Sequence, residues 1–209
     1  RLFIFCRRAC NMKSFPKIRI SIPFCILISV MYVLDFGKVF LPTFIAVLLH
    51  EAAHILAVRL VGGEIDKIDI RAFGVSVNVP GMEYLSYSKE IIIAAAGPLA
   101  GILTASLAFA TAKVFGIYSL GYFIGINIII TAINLIPVFP LDGGRIVLCF
   151  LLKIFSVRCA YVISYILALL AVGILCGICI ALAHFGRLNP SLVLFSGYVA
   201  LCGIKAPRL

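Results

Sequence analysis

The 209-residue chain is 64% hydrophobic and 12% charged, with a mean hydropathy of +1.21 and 18 basic against 8 acidic residues. Ordinary globular chains are about 45–50% apolar and about 25% charged, so a soluble enzyme, a disordered tail and a secreted disulfide scaffold are excluded. The apolar excess falls in runs long enough for the ~20 helical residues that cross a hydrocarbon core, which describes a polytopic membrane protein.

Six basic residues (Arg1, Arg7, Arg8, Lys13, Lys17 and Arg19) precede the first apolar run. They read as a cytosolic tail under the positive-inside rule, and no nucleic-acid module or partner is expected. Met12-Lys13-Ser14 reads as a natural start, which sets residues 1–11 apart. Six spans are expected: Ile18–Leu34, Val39–Leu60, Ile91–Ala112, Leu120–Pro137, Ala160–Ala183 and Ser191–Ile204. Arg145–Ser156 is too short and too basic to cross and reads as an interfacial helix. With the N-terminus inside, 15 of the 18 basic residues fall on the cytosolic side; Lys38, Lys113 and Arg187 do not. Both termini are therefore expected in the cytoplasm of a multi-pass protein of the cell membrane.

Between the second and third spans, residues 66–79 change texture. Ile68 and Ile70 alternate with Lys67, Asp69 and Arg71, then Val75, Val77 and Val79 with Ser76 and Asn78. Period two and β-branched enrichment predict two short strands turning at Phe73-Gly74. Such a hairpin is either a plain surface connector or an edge that captures an extended peptide by strand addition.

Eight cysteines are scattered through apolar runs, and the one CxxC, Cys176-Gly-Ile-Cys179, lies within a span. They read as small apolar packing residues, without a disulfide framework.

The second span holds His50-Glu51-Ala-Ala-His54. His50 lies nine residues before Arg59, about 13 Å deeper at the α-helical rise of about 1.5 Å per residue. Ionisable groups at such depth are costly and mark function. At i and i+4 the two histidines project from one face and can share one ion, while Glu51, rotated by about 100°, can reach a water on that ion. With three His and four Glu, chance gives this pattern in about one such chain per thousand. A buried polar cluster that glues helices is the plainer alternative, but it needs partners that the other spans scarcely offer.

A two-histidine site needs a third protein ligand to stay tetrahedral with one position open. Asp142 is the candidate, in Asn134-Leu-Ile-Pro-Val-Phe-Pro-Leu-Asp142-Gly-Gly-Arg145. Pro137 and Pro140 remove amide donors and Gly143-Gly144 permits unusual dihedrals, so the helix should unwind there; the alternative is an ordinary helix exit. Asn134 either offers its amide to the substrate or an oxyanion, or bonds a neighbouring helix. Gly97 and Gly101, in Ala94-Ala-Ala-Gly97-Pro98-Leu-Ala-Gly101, have GxxxG spacing and read as packing. His184 reads as interfacial.

The His50–His54 motif, Ala96-Gly97-Pro98, and the Asn134…Pro140-Leu-Asp142-Gly-Gly segment together resemble the three signatures of the site-2 proteases, intramembrane zinc metalloproteases. The Pro-Leu-Asp-Gly-Gly form and Phe73-Gly74 are most similar to the branch of stage IV sporulation protein FB. The resemblance covers about residues 20–155. It implies one zinc per chain on His50, His54 and Asp142, Glu51 as catalytic base and Asn134 as a substrate-binding residue. It also implies cleavage of a transmembrane or membrane-tethered protein near the cytosolic face, with a sigma-factor precursor as the substrate in the sporulation branch, and an inhibitory or gating membrane partner.

The expected architecture is all-α, with six transmembrane helices, a cytosolic hairpin insert and an unwound Pro/Gly-rich segment ending the fourth helix. Residues 1–17 form the basic tail, 18–155 the catalytic core including the insert at 61–89, and 156–209 the last two helices. No PDZ or CBS domain is read in the sequence. The competing function is a non-proteolytic zinc-containing scaffold, which would leave Glu51 without a task.

Overall fold

The computed structural model describes residues 17–22, 25, 29–30, 33, 39–63, 65–71, 74–78, 85–185, 193 and 196–201. In chain order the elements are β1 (Lys17–Ile20), α1 (Phe40–Leu60), β2 (Lys67–Arg71), β3 (Gly74–Asn78), α2 (Tyr87–Phe115), α3 (Leu120–Asn134), α4 (Asp142–Ile154) and α5 (Val157–His184). Helical backbone also occurs at Ile22, Cys25, Ser29, Val30 and Val33, and at Val193 and residues 196–201.

Among the described residues three helices, α1, α2 and α5, are long and apolar enough to cross a membrane. Their large apolar side chains face outward as well as inward: Leu48 and Leu56 on α1, Leu99 and Leu103 on α2, and Leu170 and Ile174 on α5 are all exposed. A helix apolar on every face belongs in lipid or a core, and the chain is a multi-pass membrane protein. α3 has 15 residues, only about 22 Å of helix against a hydrocarbon core of about 30 Å. It stops at Asn134 rather than at the expected Pro137, because proline disfavours helical backbone in the residue before it. The remainder of that expected span is the non-helical turn at 135–141.

α2 is the central helix, packed against α1, α3 and α4. It ends on Gly116 in the left-handed conformation (φ 68°), where glycine carries no β-carbon penalty. One apolar cluster joins Ala57 and Val58 of α1 to Ile93 of α2. Lys89 ties the same ends together by donating from Nζ to the carbonyl of Val61 (3.0 Å). A second cluster packs Val138, in the 135–141 turn, against Ala168 of α5 and Val199. Val138 is 1% exposed, so the turn that leads into α4 is anchored from beneath.

α4 spans 13 residues, starting three residues before the expected interfacial helix. At about 20 Å it is too short to cross. Asp142, Gly143, Gly144, Cys149 and Leu151 are its buried face.

β2 and β3 pair antiparallel, with Lys67 opposite Asn78 and Arg71 opposite Gly74. The sheet has a third strand that the hairpin reading omits. β1 pairs in parallel with β2, Lys17 opposite Lys67 and Ile20 opposite Ile70. The expected start of the first span at Ile18 is thus corrected: Lys17-Ile-Arg-Ile20 alternates charge and apolarity at period two, a strand pattern. Most of the first and last expected spans, the Phe73 turn residue and the leader at 1–16 lie outside the described residues.

Candidate metal centre

His50 and His54 lie one turn apart on α1, and the helical repeat turns both rings to α2 and α4. Asp142 opens α4, after Leu141 in extended backbone, a position where the helix dipole favours a carboxylate. Oδ2 of Asp142 lies 3.1 Å from Nε2 of His50 and 3.2 Å from Nε2 of His54. The two imidazole nitrogens are 3.2 Å apart. His50 and Asp142 are buried and His54 is half-buried.

Two imidazole nitrogens and a carboxylate oxygen converging on one point form a cation-binding set. A tetrahedral ion with bonds of about 2.0–2.2 Å separates its ligands by about 3.3–3.6 Å, close to the observed triangle. The tautomer also fits. Nδ1 of His54 donates to the carbonyl of Ile93 (2.7 Å), which leaves Nε2 of a neutral ring as a bare lone pair, the usual outer-shell arrangement of a metal histidine. Nδ1 of His50 is buried and meets no hydrogen-bond partner among the described residues. Zinc is the ion that this His/His/Asp set suits.

Glu51 is half-buried, next to His50 in the chain, and within electrostatic reach of His50, His54 and Asp142. Asn134, the last residue of α3, donates from Nδ2 to the carbonyl of Ile130 in its own helix (3.0 Å). That bond uses one amide hydrogen, on a partner that neither sequence alternative named. His184 ends α5, exposed and edge-on to Phe185. Cys25, Cys149, Cys159 and Cys176 form no disulfide among the described residues, and Cys179 donates from Sγ to Oγ of Ser196 (3.6 Å).

Three features at the site carry no side-chain chemistry to read in a sequence. Ile93 contributes only its carbonyl. Gly97, expected to serve packing, faces both imidazoles: a β-carbon there would lie 2.5 Å from Nε2 of His50 and closer to Nε2 of His54. Gly143 and Gly144 are helical rather than unusual in their dihedrals. They are needed for close approach, since a β-carbon at Gly144 would meet Val138 C at 2.5 Å and Phe139 N at 2.6 Å, and one at Gly143 would strike the carbonyl of Leu135. The unwinding thus falls at 135–141, and the glycines let α4 start against it.

Residues 111–175, which hold Asn134 and Asp142, match the model of peptidase family M50. A zinc metalloprotease of Methanocaldococcus jannaschii is 33% identical over 119 residues, 54% of this chain and 34% of that protein. Stage IV sporulation protein FB of Bacillus subtilis is 30% identical over 111 residues, 52% of this chain and 38% of that protein. In these stretches the chain is similar to zinc metalloproteases of family M50. Its fold is that of the site-2 protease from Methanocaldococcus jannaschii, with a TM-score of 0.63 at 24% identity over 95% of this chain and 94% of that one. The matched stretches span little more than a third of the two curated relatives' length.

Proposed function

We propose that this chain belongs with the site-2 proteases and is an intramembrane zinc metalloprotease that hydrolyses a peptide bond in a transmembrane or membrane-tethered protein. The observation that carries the reading is the convergence of His50, His54 and Asp142 within 3.2 Å of one another, with the carboxylate of Glu51 on the adjacent helical face. His50, His54 and Asp142 would hold the zinc. Bound there, zinc supplies a Lewis acid that polarises the scissile carbonyl and draws the pKa of water towards about 7.

Glu51 is the general base in this scheme: its carboxylate takes the proton of the attacking water and passes it to the leaving amine nitrogen. The second amide hydrogen of Asn134 remains for the substrate. The cytosolic side of the membrane is the side of cleavage, because the orientation that puts 15 basic residues inside also puts the sheet and Asp142 there. An outer strand of the sheet would hold the substrate extended, and a gating membrane protein would regulate access. The resemblance to the branch of stage IV sporulation protein FB supports a tethered sigma-factor precursor as the substrate.

Glu51→Gln tests the reading, since it keeps the size of the side chain and removes the base. Co-expressed with a tethered precursor, the variant should keep its zinc and lose about 10²–10⁴ in cleavage rate. His50→Ala and Asp142→Ala should lose zinc and cleavage together. Cleavage by Glu51→Gln at the wild-type rate would sink Glu51 as the base, whereas a zinc-loaded wild type that cleaves nothing would leave the scaffold reading.

A further inference from the structure

Gly97 is buried on α2 where that helix passes the two metal histidines. The volume that its side chain would fill is defined by two donor atoms. A β-carbon would lie 2.5 Å from Nε2 of His50, 2.7 Å from Cε1 of the same ring, and nearer still to Nε2 of His54. An ion bonded to both nitrogens at about 2.0–2.1 Å would stand nearly as close to them as that β-carbon. The atoms met are the far ends of two side chains, and either ring gives way only by leaving its donor position. His54 is held by its bond to the Ile93 carbonyl, one turn before Gly97 on the same helix, and His50 is 5% exposed.

Gly101 provides the contrast. It is buried four residues further along α2, and a β-carbon there would meet Oγ1 of Thr131 on α3. That clash is with one hydroxyl that can rotate, and it involves no metal donor. The Gly97-x-x-x-Gly101 pair, which by spacing alone is one helix-packing motif, therefore divides into two roles.

We propose that Gly97 is a metal-admitting residue. The missing β-carbon leaves the room in which zinc sits between His50 and His54, and the backbone of α2 forms a wall of the metal compartment. A β-carbon cannot rest so near the ring nitrogens, so a side chain at 97 makes the ends of the imidazoles give way and takes them out of their donor positions. The inference rests on the zinc site proposed above and adds to it a residue that ligates nothing.

The experiment uses the full chain purified in detergent, as wild type, Gly97→Ala and Gly101→Ala. Each is equilibrated with excess zinc and desalted, and its zinc content is measured by plasma mass spectrometry. Each is also stripped with chelator and melted. Wild type and Gly101→Ala should hold about one zinc per chain and Gly97→Ala under about a tenth of one, while stripped Gly97→Ala should melt where stripped wild type does. A Gly97→Ala protein that holds wild-type zinc overturns the proposal. So does one that loses zinc and also melts well below stripped wild type, because Gly97 would then be a packing residue. A wild type without zinc overturns the metal site and this proposal together, whereas zinc in both wild type and Gly97→Ala overturns this proposal alone.

Discussion

The carbonyl of Ile93 on α2 accepts a hydrogen bond from Nδ1 of His54 on α1, at 2.7 Å. The bond fixes both the ring orientation and the tautomer of one metal histidine. The other, His50, has no such partner on Nδ1 among the described residues. The two histidines of one motif are thus held unequally.

That inequality is measurable, because the chain has only three histidines, His50, His54 and His184. In zinc-free protein, the imidazole nitrogens of His54 should show a single Nδ1–H tautomer by ¹⁵N spectroscopy, with a slowly exchanging proton. His50, with Nε2 3.1 Å from the Asp142 carboxylate and Nδ1 unpartnered among the described residues, should carry its proton on Nε2 until zinc displaces it. A His54 ring with its proton on Nε2 would contradict the outer-shell role of Ile93.

A second interhelical bond joins Cys149 of α4 to Glu90 of α2, with Sγ donating to Oε2 at 3.3 Å. Burial pushes the Cys149 thiol up to about 12 from an ordinary value near 9, and the hydrogen bond and charge of Glu90 add to this against the opposing charge of Arg145. A rise of about three units leaves about 10³-fold less thiolate at pH 8. Alkylation followed by peptide mass analysis should therefore label exposed Cys159 well before Cys149 in the folded protein. Equal labelling rates at the two positions would show that Cys149 is neither buried nor bonded as described.

The 15-to-3 division of basic residues bears on orientation. A cytoplasmic-active reporter fused at Leu209 should be active, and an externally active one inserted at Arg187 should be active as well. The reverse pattern at both positions would invert the membrane orientation and move the sheet and Asp142 to the outside.

What was legible in the sequence follows from how local each feature is. His50, Glu51 and His54 could be placed from helix geometry alone, since about 100° per residue decides which share a face. Asp142 stood out because a carboxylate at the end of an apolar span must have a reason to be there. β1 was harder to see: its alternation lasts four residues, and its partner β2 lies some fifty residues away. Ile93 acts through a backbone carbonyl that every residue has. Gly97 acts by lacking a side chain, which has meaning only once the two rings opposite it are known.

Gly144 tests the link between the 135–141 turn and the metal site. A β-carbon there would lie 2.5 Å from Val138 C and 2.6 Å from Phe139 N, and backbone atoms cannot rotate away as a hydroxyl can. Nor can the turn easily give way, because Val138 is clamped between Ala168 of α5 and Val199. The strain must then move the start of α4, and Asp142 is its first residue. Displacing one ligand while keeping its chemistry resembles losing an outer-shell support, which typically costs about 10–100-fold in metal affinity. Gly144→Ala should therefore bind zinc about 10–100-fold more weakly in a competition titration with a fluorescent chelator. Unlike Gly97→Ala, it should also melt below wild type when both are stripped of metal, since its clash is with the fold itself. A Gly144→Ala protein with wild-type zinc affinity and an unchanged melt would mean that the turn can shift without carrying Asp142 with it.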